Sequence, residues 1–195
     1  MYLSSLSEVE LGSFNDIMAS ACGFTVKIRR TPGHVGIEIG RPGEKSFENI
    51  ADVGFGFSQL LPIVAQIHAA SIRSSQPFGD RYGRGAIGQF LMAVEQPELH
   101  LHPALQEGLG DLFAAAVKPI NGRATTRRFL IETHSEALIA RFSQLIVSGA
   151  LSADDVIMYF VEKDDVSQNS RVRVGGYQGD GSVQNWPIGF FSGSI

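Results

Sequence analysis

The amino-acid sequence predicts an α/β protein in which helices flank a mostly parallel sheet, with a β-hairpin near the N-terminus. Short apolar segments that end in polar residues, at 91–95 and 128–134, and a third apolar segment at 156–161 are typical of strands. The stretches between them space their apolar residues as helices do. Pro103 can start the first of these helices, whose predicted buried stripe is Leu105, Leu109, Leu112, Phe113 and Ala116. Strands that alternate with helices form parallel sheets with right-handed crossovers.

The first element in chain order is a helix over residues 3–21. Its apolar residues recur at three- and four-residue spacing, which predicts one packed face. They are Leu6, Val9, Leu11, Phe14, Ile17 and Met18. Ser7 is followed three residues later by Glu10, and this pair predicts a capping box at the start of the helix.

Two strands come next and predict a hairpin with one buried face. Apolar and polar residues alternate on both sides of the turn residues Thr31-Pro-Gly33. The alternating apolar residues are Phe24, Val26 and Ile28, then Val35, Ile37 and Ile39.

A glycine-rich turn then leads into a helix at Asp52-Val-Gly-Phe-Gly-Phe-Ser-Gln59. Gly54 and Gly56 allow positive φ and close approach of a partner. Because Pro62 has no N–H and is suited to a first turn, we expect the helix to begin near Ser58, with Ser58 as its cap. The free N–H groups at such a helix start bind phosphate. A purely structural role for the glycine turn stays open. The helix after it is expected to place one set of residues on a single apolar face: Leu60, Ile63, Val64, Ile67 and Ala70 or Ser71.

The central segment is Gln89-Phe-Leu-Met-Ala-Val-Glu-Gln-Pro-Glu-Leu-His-Leu-His-Pro103, after an expected mobile surface loop at 72–87. Its apolar run 91–94 predicts a strand buried on both faces that ends at Glu95. Open α/β sheets bind ligands at this edge, and an acidic residue there holds Mg²⁺ in nucleotide hydrolases. The segment therefore predicts a nucleotide site.

The composition predicts one globular domain. The chain has 195 residues, 44% of them hydrophobic and 18% charged, and a net charge of −4 that gives no general attraction to nucleic acid. Contact with nucleic acid would therefore need a local basic patch. Such a patch is possible at Arg123, Arg127 and Arg128, but three arginines in a loop are more often solvated surface. Cys22 is the single cysteine, which fits a reducing compartment. No apolar run reaches the ~18 residues of a membrane span. The N-terminus also lacks the basic region of a signal peptide. We expect a cytoplasmic protein with no membrane partner.

Three segments together resemble motifs of the P-loop ATPases related to the ABC, SMC and OLD proteins. Glu95-Gln-Pro-Glu-Leu-His-Leu-His-Pro103 resembles the Walker B strand and the loop after it. Asp52-Val-Gly-Phe-Gly-Phe-Ser-Gln59 resembles the signature motif, and Leu130-Ile-Glu-Thr-His-Ser135 resembles the switch-histidine strand. A fourth segment, Asn185-Trp-Pro-Ile-Gly-Phe-Phe191, is similar to one found in a prokaryotic subgroup.

The resemblance implies a P-loop NTPase fold of the ABC type and roles for individual residues. Glu95 would hold Mg²⁺ and His134 would sense the γ-phosphate of ATP. The position after Glu95 normally carries a glutamate that activates water; here it is Gln96, which cannot accept a proton, so we expect slow turnover, with Glu98 as the nearest substitute carboxylate. The signature residues Gly54, Gly56, Ser58 and Gln59 would bind ATP held by the other subunit, which implies a dimer.

The 195 residues contain no Gly-x-x-x-x-Gly-Lys-Ser/Thr loop. We therefore expect a C-terminal half, incomplete at its N-terminus, that works as a homodimer or with an N-terminal ATPase half. The expected parts are residues 1–50 (helix and hairpin), 51–165 (signature, Walker B and switch-histidine core) and 166–195 (C-terminal extension). Relatives serve DNA repair, chromosome handling and phage defence, with DNA or an effector nuclease as partner.

Two other functions stay open. Glu98, His100 and His102 alternate, so on an extended segment they would share one side. With His134 they could bind a divalent transition metal, as a metal-dependent nuclease or hydrolase does. The chain could also be a dimerisation or partner-binding module that has lost catalysis.

Overall fold

The computed structural model of the chain describes residues 2–75, 90–118, 127–163 and 169–187. They belong to two compact units, Met1–Ser135 and Glu136–Ile195. After a short 3₁₀ helix at Tyr2–Ser5, the first unit contains α1 (Glu8–Cys22), β1 (Thr25–Thr31), β2 (His34–Gly40), β3 (Glu48–Asn49), α2 (Phe55–Ser75), β4 (Phe90–Glu95), α3 (Pro103–Val117) and β5 (Arg127–Glu132). The second unit contains α4 (Glu136–Val147), a 3₁₀ turn (Ala153–Asp155), β6 (Ile157–Lys163), β7 (Ser170–Tyr177) and β8 (Val183–Gln184). The predicted three-part division of the chain stays a prediction.

Helix α1 begins with the predicted capping box. Ser7 Oγ accepts the Glu10 N–H at 3.3 Å, and the Ser7 N–H donates to Glu10 Oε2 at 2.9 Å. The bond from the Ser7 N–H and a second one from the Ser7 hydroxyl to Glu10 Oε2, at 2.8 Å, hold the pKa of the Glu10 carboxyl below its usual value. The helix ends at Gly23, whose φ of 72° is a left-handed conformation that glycine adopts without strain.

The predicted hairpin is confirmed as the antiparallel pair β1 and β2. Thr31 and His34 face each other across the turn, and the buried side chains of Val26 and Ile39 are partners in the ladder. The short strand β3 adds to β2. Asn15 of α1 bonds both to the N–H and to the carbonyl of Val26, at 2.8 and 3.0 Å, and so joins this sheet to the first helix.

Helix α2 begins at Phe55, so the expected start near Ser58 is wrong. Pro62 lies inside the helix instead of in its first turn. An interior proline leaves the carbonyl four residues earlier without its usual N–H partner, and this cost is offset by packing of the apolar face. The predicted face is confirmed, since Leu60, Ile63, Val64, Ile67 and Ala70 are buried.

The same helix corrects the expectation about membrane spans. By length and composition alone, Phe55–Ile72 could cross a membrane. Core helices of globular domains have the same composition. Here Leu60 and Val64 are completely buried within the protein. The helix also forms the start of the predicted surface loop 72–87, whose remaining residues lie outside the described ranges.

A buried histidine joins the first three helical segments. His68 of α2 is 1% exposed, and its Nδ1 shares a hydrogen bond of 2.8 Å with the Tyr2 hydroxyl. The ring of Phe14 from α1 packs edge-on at 5.5 Å. Burial lowers the pKa of His68, against a smaller opposing effect of the Glu10 carboxylate.

Strands β4 and β5 form the predicted parallel pair, in the register Met92 to Phe129. One face packs on α3, where the rings of Phe113 and Phe129 lie 5.2 Å apart. The other face is open, because Leu91 is 72% exposed and Leu130 is 60% exposed. The prediction of burial on both faces is therefore wrong. Four of the five predicted core positions of α3 are confirmed as buried, and Leu105 is only half buried. The buried four are Leu109, Leu112, Phe113 and Ala116.

The second unit corrects the expectation of a mostly parallel sheet. Strands β6, β7 and β8 form an antiparallel sheet, and the described strands include one parallel pair, β4 and β5. The six residues between β6 and β7 are too few for a parallel crossover. Phe160 packs on Trp186 at 5.5 Å, and the buried Tyr177 donates its O–H to the Ile139 carbonyl at 2.8 Å. Burial raises the pKa of Tyr177.

The two described arginines, Arg127 and Arg128, do not share the exposed basic patch that was one of the two expectations for this segment. Arg127 is buried and donates to Ser71 Oγ at 3.1 Å and to the Lys118 carbonyl at 2.6 Å. Arg128 is exposed, and Arg123 lies outside the described ranges.

Candidate functional site

The site begins at the carboxyl end of the parallel pair, where Glu95 and Glu132 end the two strands side by side. They are partners in the ladder, and both are exposed. The next residue, Gln96, donates its N–H to the Glu132 carbonyl at 2.8 Å and has a φ of 45°. A left-handed conformation is uncommon for a residue other than glycine, and it turns the chain sharply away from the sheet.

Residues 96–102 form a compact turn. The Leu99 N–H donates to the Gln96 carbonyl at 3.2 Å, and the Leu101 N–H donates to the Glu98 carbonyl at 3.0 Å. Pro97 and Glu98 point inward, whereas His100, at a φ of 60°, is exposed. The turn therefore buries one carboxylate and leaves Glu95 at the surface.

Helix α3 starts directly after this turn and is capped by it. His102 is the N-cap residue, and its Nδ1 accepts the Ala104 N–H at 3.3 Å. Pro103 occupies the first turn, as predicted from its missing N–H. Gln106, one turn further on, donates to the Leu101 carbonyl at 2.9 Å.

The loop that carries His134 follows β5 and is joined to the turn by side chains. Glu98 Oε1 accepts the backbone N–H of His134 at 2.7 Å. Ser135 Oγ donates to Gln106 Oε1 at 2.6 Å, and the Ser135 N–H donates to Thr133 Oγ1 at 3.0 Å. The His134 side chain itself is exposed.

The glycine-rich segment before α2 lies beside the same turn. Gly54 has a φ of 96°, which glycine tolerates best, and ends the turn that precedes the helix. A Cβ on Gly56 would stand 2.8 Å from the His100 carbonyl oxygen, so this position admits no larger residue without a shift of backbone. Ser58 is exposed in the first turns of α2, and Gln59 is half buried.

A family model matches residues 30–140, which cover all of these segments; its description is "AAA domain, putative AbiEii toxin, Type IV TA system". The chain belongs to this AAA-domain family. No match was found among curated proteins.

Solved structures show the same fold for the AAA domain. A structure from work on ATP-driven dimerization and DNA-stimulated activation of SMC ATPases is 17% identical, with a TM-score of 0.56 over 86% of this chain and 83% of that chain. The Smc head domain of Pyrococcus furiosus with an extended coiled coil, bound to the C-terminal domain of ScpA, is 15% identical, with a TM-score of 0.53; the match covers 86% of this chain and 34% of that chain. The chain is thus an ATPase-type domain with the fold of SMC heads.

The AAA domain brings four predicted residues to one edge of the parallel pair. Glu95 ends β4 and Gln96 follows it, and Glu98 hydrogen-bonds to the backbone of His134 beyond β5. The predicted signature residues stand at the start of α2, where Gly56 contacts the far side of the turn at His100. Their expected action on ATP held by another subunit stays a prediction.

Glu132 is the residue of this edge that sequence reasoning did not single out. Its signal was available, because Glu95 and Glu132 both follow short apolar runs that were assigned to strands of a mostly parallel sheet. Equal positions at the ends of parallel strands lie side by side. The register was needed to show that these two positions are in fact equal.

The alternative metal site at Glu98, His100, His102 and His134 is wrong. Among the described residues, no three His, Cys, Asp or Glu side chains come together to hold a metal ion. The expectation assumed an extended segment, but residues 96–102 form a turn that separates the alternating side chains. Glu98 points inward and His102 caps α3.

The carboxylates at the end of the parallel pair do fit Mg²⁺. Mg²⁺ is held by one or two carboxylates while it keeps several waters and binds substrate phosphates. Glu95 and Glu132 are hard oxygen donors at the surface, and like charges on adjacent strand positions destabilise each other without a cation.

Proposed function

We propose that this AAA domain binds and hydrolyses ATP with Mg²⁺ as part of an ABC/OLD-like ATPase that dimerises when nucleotide binds. One observation carries the proposal: hydrogen bonds join the segment after β4 to the segment after β5. Gln96 donates its N–H to the Glu132 carbonyl, and Glu98 accepts the N–H of His134. Both segments bear the residue types that nucleotide hydrolases need at the carboxyl edge of a parallel sheet.

Each residue at this edge has a chemical task in the proposal. Glu95 holds Mg²⁺, with Glu132 beside it as a second oxygen donor; when bound, the ion neutralises negative charge on the phosphates. Gln96 orients the attacking water by hydrogen bonding but takes no proton from it, so turnover is slow. The exposed imidazole of His134 senses the γ-phosphate.

The signature segment supports the dimer. Gly54, Gly56, Ser58 and Gln59 lie at the start of α2, where free N–H groups and the positive end of the helix dipole favour an anion. Ser58 and Gly54 are exposed and thus accessible to a phosphate brought by a second subunit. Binding across the interface makes dimerisation depend on nucleotide.

The phosphate-cradling loop is supplied by another segment in this proposal. Gly-x-x-x-x-Gly-Lys-Ser/Thr provides backbone N–H groups, a lysine and a hydroxyl for Mg²⁺, and none of the 195 residues forms such a motif. We infer an N-terminal ATPase half as the partner, with DNA or an effector nuclease as further partners.

A second candidate is a partner-binding module without catalysis. Exposed apolar side chains on one face of each of two separate sheets favour it, because such patches mark interaction surfaces. They include Leu91 and Leu130 on the parallel pair, and Ile157, Tyr159, Val161, Val172 and Val174 on β6 and β7.

The deciding experiment pairs the chain with the polypeptide encoded directly upstream of the Met1 codon. Binding of Mg-ATP is measured by calorimetry and dimerisation by sedimentation with and without ATP. The proposal expects nucleotide binding, ATP-dependent dimers and slow turnover that His134→Ala abolishes. Absence of binding in the presence of a phosphate-cradling loop refutes it, and ATP-independent dimers favour the second candidate.

Action in trans has its own test, by mixing variants. Ser58→Ala removes a hydroxyl of the signature segment, and His134→Ala removes the sensor. If the signature serves the other subunit, a mixed dimer has one intact site, and the mixture recovers turnover that neither variant shows alone. If the mixture recovers no turnover, Ser58 and His134 of one site come from the same subunit, and action in trans is refuted.

A further inference from the structure

Glu98 is a carboxylate in a position where stability alone does not account for it. Glu98 is only 9% exposed, whereas its neighbours Glu95 and His100 are exposed. Oε1 accepts one hydrogen bond, and the buried Oε2 has no hydrogen-bond partner in the described part of the chain. Burial of a carboxylate is costly, and an apolar residue of similar volume is often as stable or more so.

The hydrogen bond that Glu98 Oε1 accepts does account for the buried carboxylate. His134 lies in the loop between the last ladder position of β5 and the start of α4. Glu98 Oε1 accepts its backbone N–H, and a charged acceptor makes a short, strong bond of this kind. Its own position is defined, since Pro97 is buried and the Glu98 carbonyl accepts the Leu101 N–H.

We propose that Glu98 is a positioning residue that ties the turn after β4 to the loop carrying His134. Only Pro97 lies between Gln96 and Glu98, so the bond fixes His134 relative to Glu95 and Gln96. Burial favours this role over that of a substitute base, which must reach the attacking water. The catalytic consequence of this inference rests on the proposed ATPase function; the contact itself does not.

Two substitutions separate positioning from stability. Glu98→Met replaces the carboxylate by an apolar side chain of similar volume, so the fold is expected to be kept while His134 loses its acceptor. Glu98→Gln keeps an acceptor oxygen and is expected to restore the contact in large part. Glu107→Met is the matched control, because Glu107 is exposed on α3 nearby.

The first measurement is hydrogen exchange of backbone amides by NMR in the 195-residue chain. In Glu98→Met the His134 amide should exchange roughly tenfold to a hundredfold faster, which corresponds to loss of a charged hydrogen bond. Amides of α3 should be unchanged, and Glu107→Met should match the wild type. Unchanged exchange at His134 overturns the proposal. Unfolding of Glu98→Met also overturns it, since the carboxylate would then be needed for stability.

The second measurement is ATP turnover with the upstream polypeptide. Glu98→Met should lower kcat about tenfold or more with little change in KM, because His134 is displaced while the rest of the binding surface is intact. Glu98→Gln should recover most of kcat. If the wild type neither binds nor hydrolyses ATP, the proposed function fails while the exchange result still stands. If the wild type hydrolyses ATP and Glu98→Met does so equally fast, this inference alone fails.

Discussion

The contact between helices α1 and α3 predicts opposite effects for two Gly→Ala substitutions. Gly108 of α3 is buried against α1, and a Cβ there would overlap the carbonyl oxygen of Ala21 and come within 3.0 Å of the carbonyl carbon. Gly12 of α1 is exposed, and a Cβ there would meet no atom within 4 Å. Both lie inside helices, so the two substitutions share the same gain in helix propensity.

The magnitudes follow from two terms. Alanine in place of glycine inside a helix stabilises by about 1 kcal/mol. An extra methyl in a packed core costs ~1–3 kcal/mol, and the upper end applies because the obstacle is main chain rather than a flexible side chain. Gly12→Ala should therefore stabilise by about 1 kcal/mol and raise Tm by ~2–4 °C, whereas Gly108→Ala should destabilise by about 2 kcal/mol and lower Tm by ~4–8 °C.

Urea and thermal unfolding followed by far-UV circular dichroism measure both variants. The difference between them isolates the contact of α1 with α3, since the propensity term cancels. A Gly108→Ala protein as stable as Gly12→Ala would show that the two backbones do not approach each other here. That result would refute the packing of the first unit as described.

Four further outcomes are expected. In the ATP turnover assay, Gln96→Glu supplies the missing base and should raise kcat by roughly 10²-fold; no increase would count against this position for the base. Glu132→Gln should raise the Mg²⁺ concentration that gives half-maximal turnover, and an unchanged value would exclude Glu132 as a donor. Because burial depresses the pKa of His68, the unfolded chain takes up a proton first as pH falls below ~6.5; the wild type should lose stability there in urea titrations, and His68→Gln should lose less. The depressed pKa of Glu10 contributes stability above pH ~4.3, and this stability is lost in stronger acid. In urea titrations Glu10→Gln should therefore be less stable than the wild type at pH 7 and equally stable near pH 2.

Sequence reasoning succeeded where a pattern depends on neighbours along the chain. Ser7 and Glu10 form their box from four consecutive positions, and the turn at Thr31-Pro-Gly33 joins strands whose alternation defines their register. The apolar face of α2 was also correct, because helical spacing alone identifies it.

It failed where long-range packing opposes a local preference. The local argument placed Pro62 in a first turn, but α2 starts seven residues earlier, at Phe55. The buried residues around the proline offset its cost, and no local signal reports that balance. Strand β7 had a readable signal, since Val172 and Val174 alternate with arginines, but it lies in a segment assigned to the C-terminal extension.

The candidate site shows the same limit in its chemistry. The residue types of Glu95, Gln96 and His134 could be identified from their order along the chain, but the direction in which each side chain points depends on the turn after β4. The left-handed Gln96 reverses the backbone, so two carboxylates only three residues apart have opposite environments, with Glu95 at the surface and Glu98 inside. A surface carboxylate is suited to a hydrated cation, and a buried one is suited to hold a backbone N–H in place. Because of the turn, Glu95 is suited to bind a cation and Glu98 is suited to position the His134 loop.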